Sequence, residues 1–415
     1  MLKKIKIEKL FGDFDYEMEL KKGGVTILTG PNGYGKTTIL KILHAFFTKN
    51  TLFFSRISFR NIILSLEKKE IRVFNSTGDV HTSSALIQIE GYDPPTKALP
   101  GIKENIPPPS NRPSEYRHSV IFRWEIENKP PYESEMLRTD AQIKEFKESM
   151  PDIGDAYFIG EQRIIKFSSG EKRFSLSIEE YAKELAGEIA KTFDELRMVS
   201  QRLDMSFPKR LINESNRISE EDFDERYKAL RKKQKLLNSY GMSVIEGGEV
   251  ASFSEDDAKV LLIYLSDMEK RLAVFDDILE KLDIFSNILN KKDFSQKRVK
   301  ITPKYGFFWE KEGMAEKETG EKGLPLKNLS SGEQQQAIFW YELIFKAHPG
   351  TLVLIDEPET SLHIVWQKEV INDLLKIAEL RDLSIIVTTH SPYIIAEHWN
   401  LTVDLWDLHS GEITE

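Results

Sequence analysis

The feature that most constrains the fold is a glycine-rich loop between an apolar run and a helical pattern. The run Val25–Thr29 (VTILT) is apolar and β-branched, and the pattern ILKIL at 39–43 follows the loop. The loop has the spacing GxxxxGK[ST], and its residues, with the one that follows, are Gly30, Pro31, Asn32, Gly33, Tyr34, Gly35, Lys36, Thr37 and Thr38. This order predicts an α/β fold in which the loop joins a buried strand to a helix.

The same loop predicts a phosphate-binding site. Glycines allow successive backbone N–H groups to point inward at phosphate oxygens, and the helix N-terminus adds partial positive charge. Lys36 is expected to reach the β- and γ-phosphates, and the Thr37 hydroxyl is expected to bind Mg²⁺. The alternative, a glycine-rich turn with a chance lysine, is disfavoured by the strand–loop–helix context. Kinases, GTPases, AAA+ motors and ABC ATPases share the motif, so it does not distinguish among them.

Two acidic residues end a second apolar run. Residues 351–355 (TLVLI) are continuously apolar, as in a central parallel strand, and Asp356-Glu357-Pro358 follows. The carboxyl ends of such strands are where α/β sheets bind ligands. We expect Asp356 to hold Mg²⁺ and Glu357 to act as the general base on the attacking water. The alternative is a surface turn that opens a helix.

A histidine follows a third apolar run. Residues 383–389 (LSIIVTT) precede His390. Taken alone, His390 would more often be a structural or solvent-facing residue. Together with the loop and the acidic pair, it is expected to contact the γ-phosphate and to sense its loss.

A polar segment at residues 329–334 resembles a motif that contacts the nucleotide of a neighbouring subunit in other ATPases. Residues 329–334 (LSSGEQ) precede an apolar helix and resemble the ABC signature LSGGQ, with Ser331 and Glu333 in place of its glycine and glutamine. The resemblance implies that Ser330, Ser331, Gly332 and Glu333 contact ATP held by the loop of a second subunit, within a homodimer or a higher homo-oligomer. Taken alone, the segment would equally suit a plain helix N-cap.

Two further segments are assigned by the same resemblance. ETSLH at 359–363 resembles the D-loop, a subunit-contact segment. In YFIGEQR at 157–163, Gln162 is the candidate for the glutamine that touches Mg²⁺ and water. A polar loop without a ligand role is the alternative for Gln162.

The long interval between residues 162 and 329 is helical by pattern. Capping-type starts occur at Ser177 and Ser219. Apolar residues at heptad spacing, interrupted by the polar Ser286, are Leu261, Leu265, Met268, Leu272, Phe275, Leu279, Leu282 and Leu289. The pattern predicts a short coiled-coil-like antiparallel hairpin that turns at 241–248. Ordinary core packing is the alternative.

These features divide the chain into three predicted parts. The N-terminal ATPase lobe, with a strand and loop insertion, spans 1–170. The mostly helical insertion spans 171–300. The C-terminal lobe, with the signature, the acidic pair and His390, spans 301–415. The predicted fold class is therefore an α/β, ABC-type P-loop ATPase head with a helical insertion.

Composition narrows the environment and the partners. The 415 residues are 40% apolar, lack cysteine and carry a net charge of −9. No apolar run approaches the roughly 18–20 residues that cross a bilayer, so a cytoplasmic protein without membrane contact is expected. A basic run at 226–235 could contact DNA phosphates, although a solvated helix face is the favoured alternative.

The motif order resembles a known group of ATPases. GPNGYGKTT, LSSGEQ, LIDEPETSLH and TTHSP are similar to standalone ABC-type (SMC- and OLD-like) ATPases of prokaryotic anti-phage systems, such as Septu (PtuA), PARIS (AriA) and retron-associated relatives. The resemblance implies an oligomeric sensor or regulatory ATPase that controls a toxic nuclease effector encoded nearby. The alternative is an SMC-like repair or recombination ATPase that binds DNA directly.

The chain departs from this group at two places. KLFG at 9–12 stands where many of these ATPases carry an arginine, so no N-terminal arginine is assigned to nucleotide contact. OLD enzymes carry a nuclease domain after the ATPase, and none is expected here after His390.

Overall fold

A computed structural model describes residues 2–54, 56–67, 70–75, 85–90, 119–124, 154–161, 165–168, 173–242, 253–292, 296–311, 323–360 and 362–410. The strands and helices in chain order are β1 (Leu2–Leu10), β2 (Phe14–Glu19), β3 (Val25–Thr29), α1 (Lys36–Phe47), α2 (Thr51–Phe54), β4 (Asn61–Leu66), β5 (Glu70–Asn75), β6 (Ala85–Glu90), β7 (Ser119–Trp124), β8 (Ala156–Ile159), β9 (Ile165–Ser168), β10 (Arg173–Leu176), α3 (Ser177–Asn213), α4 (Glu220–Ser239), α5 (Ala258–Ala273), α6 (Asp276–Lys291), β11 (Lys297–Thr302), β12 (Gly306–Lys311), α7 (Ser331–Tyr341, continued by a π-helical turn at Glu342–Lys346), β13 (Leu352–Asp356), α8 (Ile364–Leu380), β14 (Ser384–Thr388), α9 (Pro392–Ile395), β15 (Thr402–Asp404) and α10 (Leu405–Ser410).

The chain forms two compact units. Unit 1 combines Met1–Glu161 with Lys346–Glu415, and unit 2 is Gln162–Phe345. The predicted boundary at 300/301 falls within β11, which pairs with β12. Helix α7 groups with the helical unit because it contacts α3 and α6. The signature segment therefore belongs to unit 2, whereas the glycine-rich loop and the acidic pair belong to unit 1.

Unit 1 contains two sheets with α1 packed between them. Among the described residues, the parallel sheet has the order β15-β3-β14-β13-β8, and the antiparallel sheet has the order β2-β1-β4-β5-β6-β7. Buried residues of α1, including Ile39 and Leu43, share one apolar core with Ile5 of β1 and Leu354 of β13. The predicted α/β fold class is confirmed.

The central parallel strands are apolar on both faces because both faces are covered. Every residue of β3 and β13 is buried. By contrast, β1 alternates, since its Ile5 and Ile7 are buried while Lys3 is exposed. These are the two patterns expected of an interior parallel strand and of a half-covered antiparallel strand.

Of the two helix starts predicted in unit 2, one has the predicted cap and the other does not. Ser219 caps α4, and its hydroxyl accepts a hydrogen bond from the Asp222 N–H. Ser177 does not cap α3, because β10 runs directly into the helix and Leu176 takes the capping position. Ser177 is instead the first helical residue, and its buried hydroxyl has no hydrogen-bond partner among the described residues.

The predicted heptad helix is two helices. Helix α5 ends at Ala273 and α6 begins at Asp276, with Val274 and Phe275 between them. Of the heptad residues, only Leu261 is partly exposed. The polar Ser286 is also buried, and its hydroxyl lies 3.0 Å from the Tyr240 hydroxyl. The heptad pattern therefore reflects ordinary core packing within unit 2.

The antiparallel reversal lies at 214–219 and not at 241–248. Helix α3 runs antiparallel to α5, since Arg210 pairs with Asp267 and Asp204 pairs with Arg271. Helix α4 runs parallel to α5, because the residue numbers of its ion-pair partners increase as the residue numbers along α4 increase.

Those partners fix the direction of α4. Arg226 pairs with Glu269, and Lys233 pairs with Asp276. The prediction of a hairpin between α4 and α5 is therefore wrong. The chain reverses where Glu214 leaves helical geometry, and the Glu214 carboxylate accepts the N–H groups of Ser215 and Asn216. Residues 243–252 lie outside the described residues.

No helix among the described residues has both the length and the apolar character to span a membrane.

The Arg210–Asp267 pair should stabilise the helical unit measurably. It is bidentate, with N–O distances of 2.6 and 2.7 Å, and the Asp267 side chain is only 9% exposed. Asp267→Ala should lower the free energy of unfolding by about 1–3 kcal/mol, because it removes two charge-assisted hydrogen bonds and leaves the half-buried Arg210 guanidinium without its charged partner. Asp204→Ala is the matched control. Its side chain is 68% exposed in a pair with Arg271, so a loss below about 1 kcal/mol is expected. Urea denaturation measures both, and equal losses would contradict the predicted ranking.

Candidate nucleotide-binding site

The glycine-rich loop adopts backbone angles that favour glycine. Gly30, Gly33 and Gly35 have φ values of 138°, 87° and 85°. Gly35 is the N-cap of α1 and supplies no side-chain hydrogen bond to the first turn. A Cβ at Gly35 would lie 3.0 Å from Leu10 and 3.2 Å from Phe11. The loop is thus closely covered by the turn after β1, and the first turn of α1 lacks the side-chain cap that most helices carry.

The ammonium group of Lys36 lies inside the loop. Its Nζ donates hydrogen bonds to the carbonyls of Gly30 (2.8 Å) and Pro31 (3.1 Å), and the residue is 5% exposed. Burial lowers the pKa of Lys36, while the carboxylates of Glu357 and Asp356 oppose that shift. A desolvated cation surrounded by loop backbone is suited to an anionic ligand such as a phosphate.

The other predicted loop residues take different positions. Pro31 and Asn32 are exposed, and Thr38 is half-buried in the first turn of α1. Tyr34 is held through its backbone carbonyl and through its ring. Its carbonyl accepts a hydrogen bond from the Tyr16 hydroxyl (2.8 Å), and its ring packs against Phe14 and Trp406.

Asp356 ties the loop helix to the sheet. Its Oδ1 accepts hydrogen bonds from the Thr37 hydroxyl (2.9 Å) and the Thr388 hydroxyl (2.7 Å), and it is 7% exposed. The structure thus brings together Thr37 and Asp356, two of the three residues predicted at the Mg²⁺ site. A hydroxyl and a carboxylate are hard oxygen ligands, and they fit this ion at the carboxyl end of the sheet.

Glu357 is held in a strained conformation beside Asp356. Its φ is 44°, and its N–H donates to the Thr388 carbonyl at 3.1 Å. A left-handed backbone costs a non-glycine residue about 1–2 kcal/mol, and such strain is concentrated at functional sites. Burial raises the pKa of the Glu357 carboxyl, with Glu359 adding to the shift and His390 opposing it. A raised pKa suits a carboxylate that accepts a proton.

His390 lies next to this carboxylate. The distance between His390 Nε2 and Glu357 Oε1 is 3.6 Å. Both side chains are partly exposed at the edge where Lys36, Thr37 and Asp356 converge. The structure therefore places the predicted base and the predicted γ-phosphate sensor together.

Two neighbouring carboxylates were not predicted as site residues. Glu359 Oε1 accepts hydrogen bonds from the Thr389 hydroxyl and from the N–H groups of His390 and Ser391. Asp404 is the last residue of β15 and accepts a hydrogen bond from the Thr29 hydroxyl at 2.8 Å. The signal for Glu359 was a third acid two residues after the pair. For Asp404, no local pattern marks a role.

The remaining predicted site residues lie elsewhere. Gln162 is outside the described residues. Ser330 caps α7 in unit 2 and forms a capping box with Glu333. The Glu333 carboxylate also pairs with Lys297 at 2.7 Å, so its side chain serves the cap. Ser331 and Gly332 form the first turn of this helix.

The raised pKa of Glu357 predicts a pH-dependent stability. A carboxyl whose pKa is higher in the folded chain stabilises the fold fully below its ordinary pKa of 4.5, and this contribution is lost as pH rises through the raised value. Glu357→Gln cannot ionise and avoids that loss. The variant should therefore melt at a higher temperature than the wild type at neutral pH, and the difference should shrink as pH falls towards 4.5.

The control is Glu195→Gln, at an exposed position of α3. This change should alter the melting temperature little at any pH. Thermal unfolding across a pH series measures both variants. A Glu357→Gln advantage that grew towards acid pH would have the wrong sign for a carboxyl whose pKa is raised in the folded chain.

Two solved structures are similar to this chain. The SMC head bound to the C-winged helix domain of ScpA is 12% identical, with a TM-score of 0.38, covering 95% of this chain and 91% of that chain. The SMC head domain from Thermotoga maritima is 12% identical, with a TM-score of 0.34, covering 97% and 94%. Likenesses this distant carry no argument about the function of this chain.

No curated protein matches the chain. A protein family described as "AAA ATPase domain" matches residues 1–395, which include the glycine-rich loop, the acidic pair and His390. Because this match spans almost the whole sequence and agrees with the geometry of unit 1, the chain belongs to the AAA ATPase domain family.

Proposed function

We propose that this ATPase works as a dimer or higher homo-oligomer in which each copy completes the ATP site of another. The observation that carries the proposal is the convergence in unit 1 of Lys36, Thr37, Asp356, Glu357 and His390. These side chains provide the charge and the base that ATP hydrolysis needs. No residue of the signature segment belongs to this unit.

The residues have separate tasks. Lys36 binds phosphate oxygens, and Thr37 and Asp356 are placed to hold Mg²⁺. Mg²⁺, when bound, supplies positive charge to the phosphate oxygens. A Glu357 carboxylate oxygen orients the attacking water and accepts its proton, since its raised pKa favours proton uptake. His390 is close enough to Glu357 to respond to the state of the same site.

The signature segment is suited to a phosphate supplied by another copy. Ser330 and Glu333 lock the N-terminus of α7 through a capping box, and Lys297 holds Glu333 in place. A fixed helix N-terminus preceded by a hydroxyl is a favourable anion site. The motif resemblance supplies the further expectation that this anion is ATP bound to a partner.

Mixing two inactive variants tests the shared site. Lys36→Ala removes the loop cation. Gly332→Asp places an acid in the first turn of α7, where the fold tolerates it and a phosphate is repelled. Each variant alone should lose ATPase activity. In an equal mixture, roughly half of the dimers are mixed and each holds one fully intact site, so activity should return to about a quarter of the wild-type value.

The two outcomes are distinct. Return of activity requires one copy's loop to work with the other copy's signature. Differently tagged variants, recovered together by sequential affinity steps, show that mixed oligomers form. Mixed oligomers without activity would contradict the shared site and leave a site completed within one chain.

We further propose that the ATPase is the sensor or regulatory subunit of an anti-phage defence complex that controls a nuclease effector in trans. The order of the four motifs supports this role. Purification of the tagged chain from its native operon, followed by mass spectrometry, should recover a stoichiometric nuclease-like partner. A homo-oligomer that carries only nucleic acid would contradict this role and favour the repair alternative.

Three of the six cations in the basic run at 226–235 are engaged within unit 2, whereas Lys228, Lys232 and Lys235 are exposed. Arg226 and Lys233 form ion pairs with Glu269 and Asp276. Arg231 donates a hydrogen bond to the Tyr227 hydroxyl at 2.9 Å and lies over its ring. These cations serve helix packing within unit 2.

A further inference from the structure

We propose that Glu359 is a positioning residue that fixes the backbone from which His390 projects. The inference rests on the proposed ATPase site and adds a residue to which no role has been assigned there. Its basis is a single carboxylate that joins the segment after the acidic pair to the segment after β14.

One side-chain oxygen of Glu359 accepts three hydrogen bonds from described residues. Its Oε1 accepts hydrogen bonds from the Thr389 hydroxyl (2.6 Å), the His390 N–H (2.8 Å) and the Ser391 N–H (3.2 Å). Thr389 is fully buried, and its hydroxyl oxygen also accepts the Ser391 N–H at 3.0 Å. Charge-assisted hydrogen bonds to a carboxylate are stronger than neutral ones, so this turn is held mainly by Glu359.

Within the part of the chain that the structure describes, the His390 side chain has no comparable anchor of its own. Its Nε2 lies 3.6 Å from Glu357 Oε1, beyond hydrogen-bond length, and the imidazole is 36% exposed. The direction of the imidazole therefore depends on the backbone of residues 389–391. Glu359 holds that backbone directly.

A second tie joins the same two segments. The Ser391 hydroxyl donates to the Gln367 side-chain oxygen at 2.7 Å, and the Gln367 amide donates to the Leu362 carbonyl at 3.1 Å. Gln367 is buried in α8. Glu359 and Leu362, which belong to the segment 359–363 that resembles a subunit-contact segment, are thus both linked to the His390 turn. A shift of one segment must be transmitted to the other.

Two features of the position of Glu359 lower the stability of the fold. Its Oε2 is buried and has no hydrogen-bond partner among the described residues. Glu359 also lies close enough to Glu357 for its charge to disfavour ionisation there. Buried, incompletely paired acids are uncommon without a functional reason. The three contacts made by Oε1 supply that reason.

A double-mutant cycle distinguishes positioning from general stability. Glu359→Ala and His390→Ala should each lower kcat by roughly 10- to 100-fold, because misplacing a reacting group is costly. The Kd for ATP should change less than about threefold, since Lys36, Thr37 and Asp356 are untouched. The double variant should be no slower than His390→Ala, because the two changes remove one function.

Two further variants sharpen the test. Glu359→Gln keeps a carbonyl acceptor and should retain most of kcat, whereas the exposed Glu379→Ala on α8 should have wild-type activity. If Glu359→Ala does not fold, Glu359→Asp, whose carboxylate is one methylene shorter, takes its place in the cycle.

Each outcome decides one question. Losses that multiply in the double variant, or a Glu359→Ala enzyme with normal kcat, would overturn the positioning role while leaving the ATPase site intact. If His390→Ala itself had normal kcat, the proposed role of His390 would fail, and the positioning role with it.

Discussion

The site depends on the hydrogen bonds that converge on Asp356. One buried carboxylate oxygen accepts the hydroxyls of Thr37 and Thr388. These residues belong to α1 and β14, and Asp356 itself ends β13. The contact fixes the glycine-rich loop against the carboxyl end of the sheet. It therefore holds Lys36, Glu357 and His390 at the same edge of the sheet.

Charge is unevenly distributed around this point. Lys36 faces the carboxylates of Asp356, Glu357, Glu359 and Asp404. A nucleoside triphosphate would add further negative charge, so a divalent cation is needed for electrostatic compensation. The hydroxyl–carboxylate pair of Thr37 and Asp356 is suited to hold one. The strain at Glu357 and the Glu359 oxygen that lacks a hydrogen-bond partner among the described residues are the costs of collecting these groups in one place.

Sequence patterns predicted the parts of the fold that burial determines. The runs at 25–29, 351–355 and 383–389 correspond to β3, β13 and β14 because interior parallel strands must be apolar throughout. The loop and the acidic pair follow from these strands. The structure indeed brings Thr37 and Asp356 together, although they are 319 residues apart.

Helix order within unit 2 could not be predicted in the same way. Apolar heptads are equally compatible with one long helix and with two helices in a shared core, and the short break at Val274–Phe275 leaves that pattern unchanged. The role proposed for Glu359 was also hidden, since it depends on a turn that lies 30 residues further along the chain.

In the proposed mechanism, ATP joins two copies of the chain. Glu357→Gln lacks the proposed base and should bind ATP without hydrolysing it. Sedimentation equilibrium of this variant with ATP and Mg²⁺ should give a mass of about twice the chain mass of 48.0 kDa, and removal of the nucleotide should reverse the change. A variant that binds ATP and still sediments at 48.0 kDa would contradict the claim.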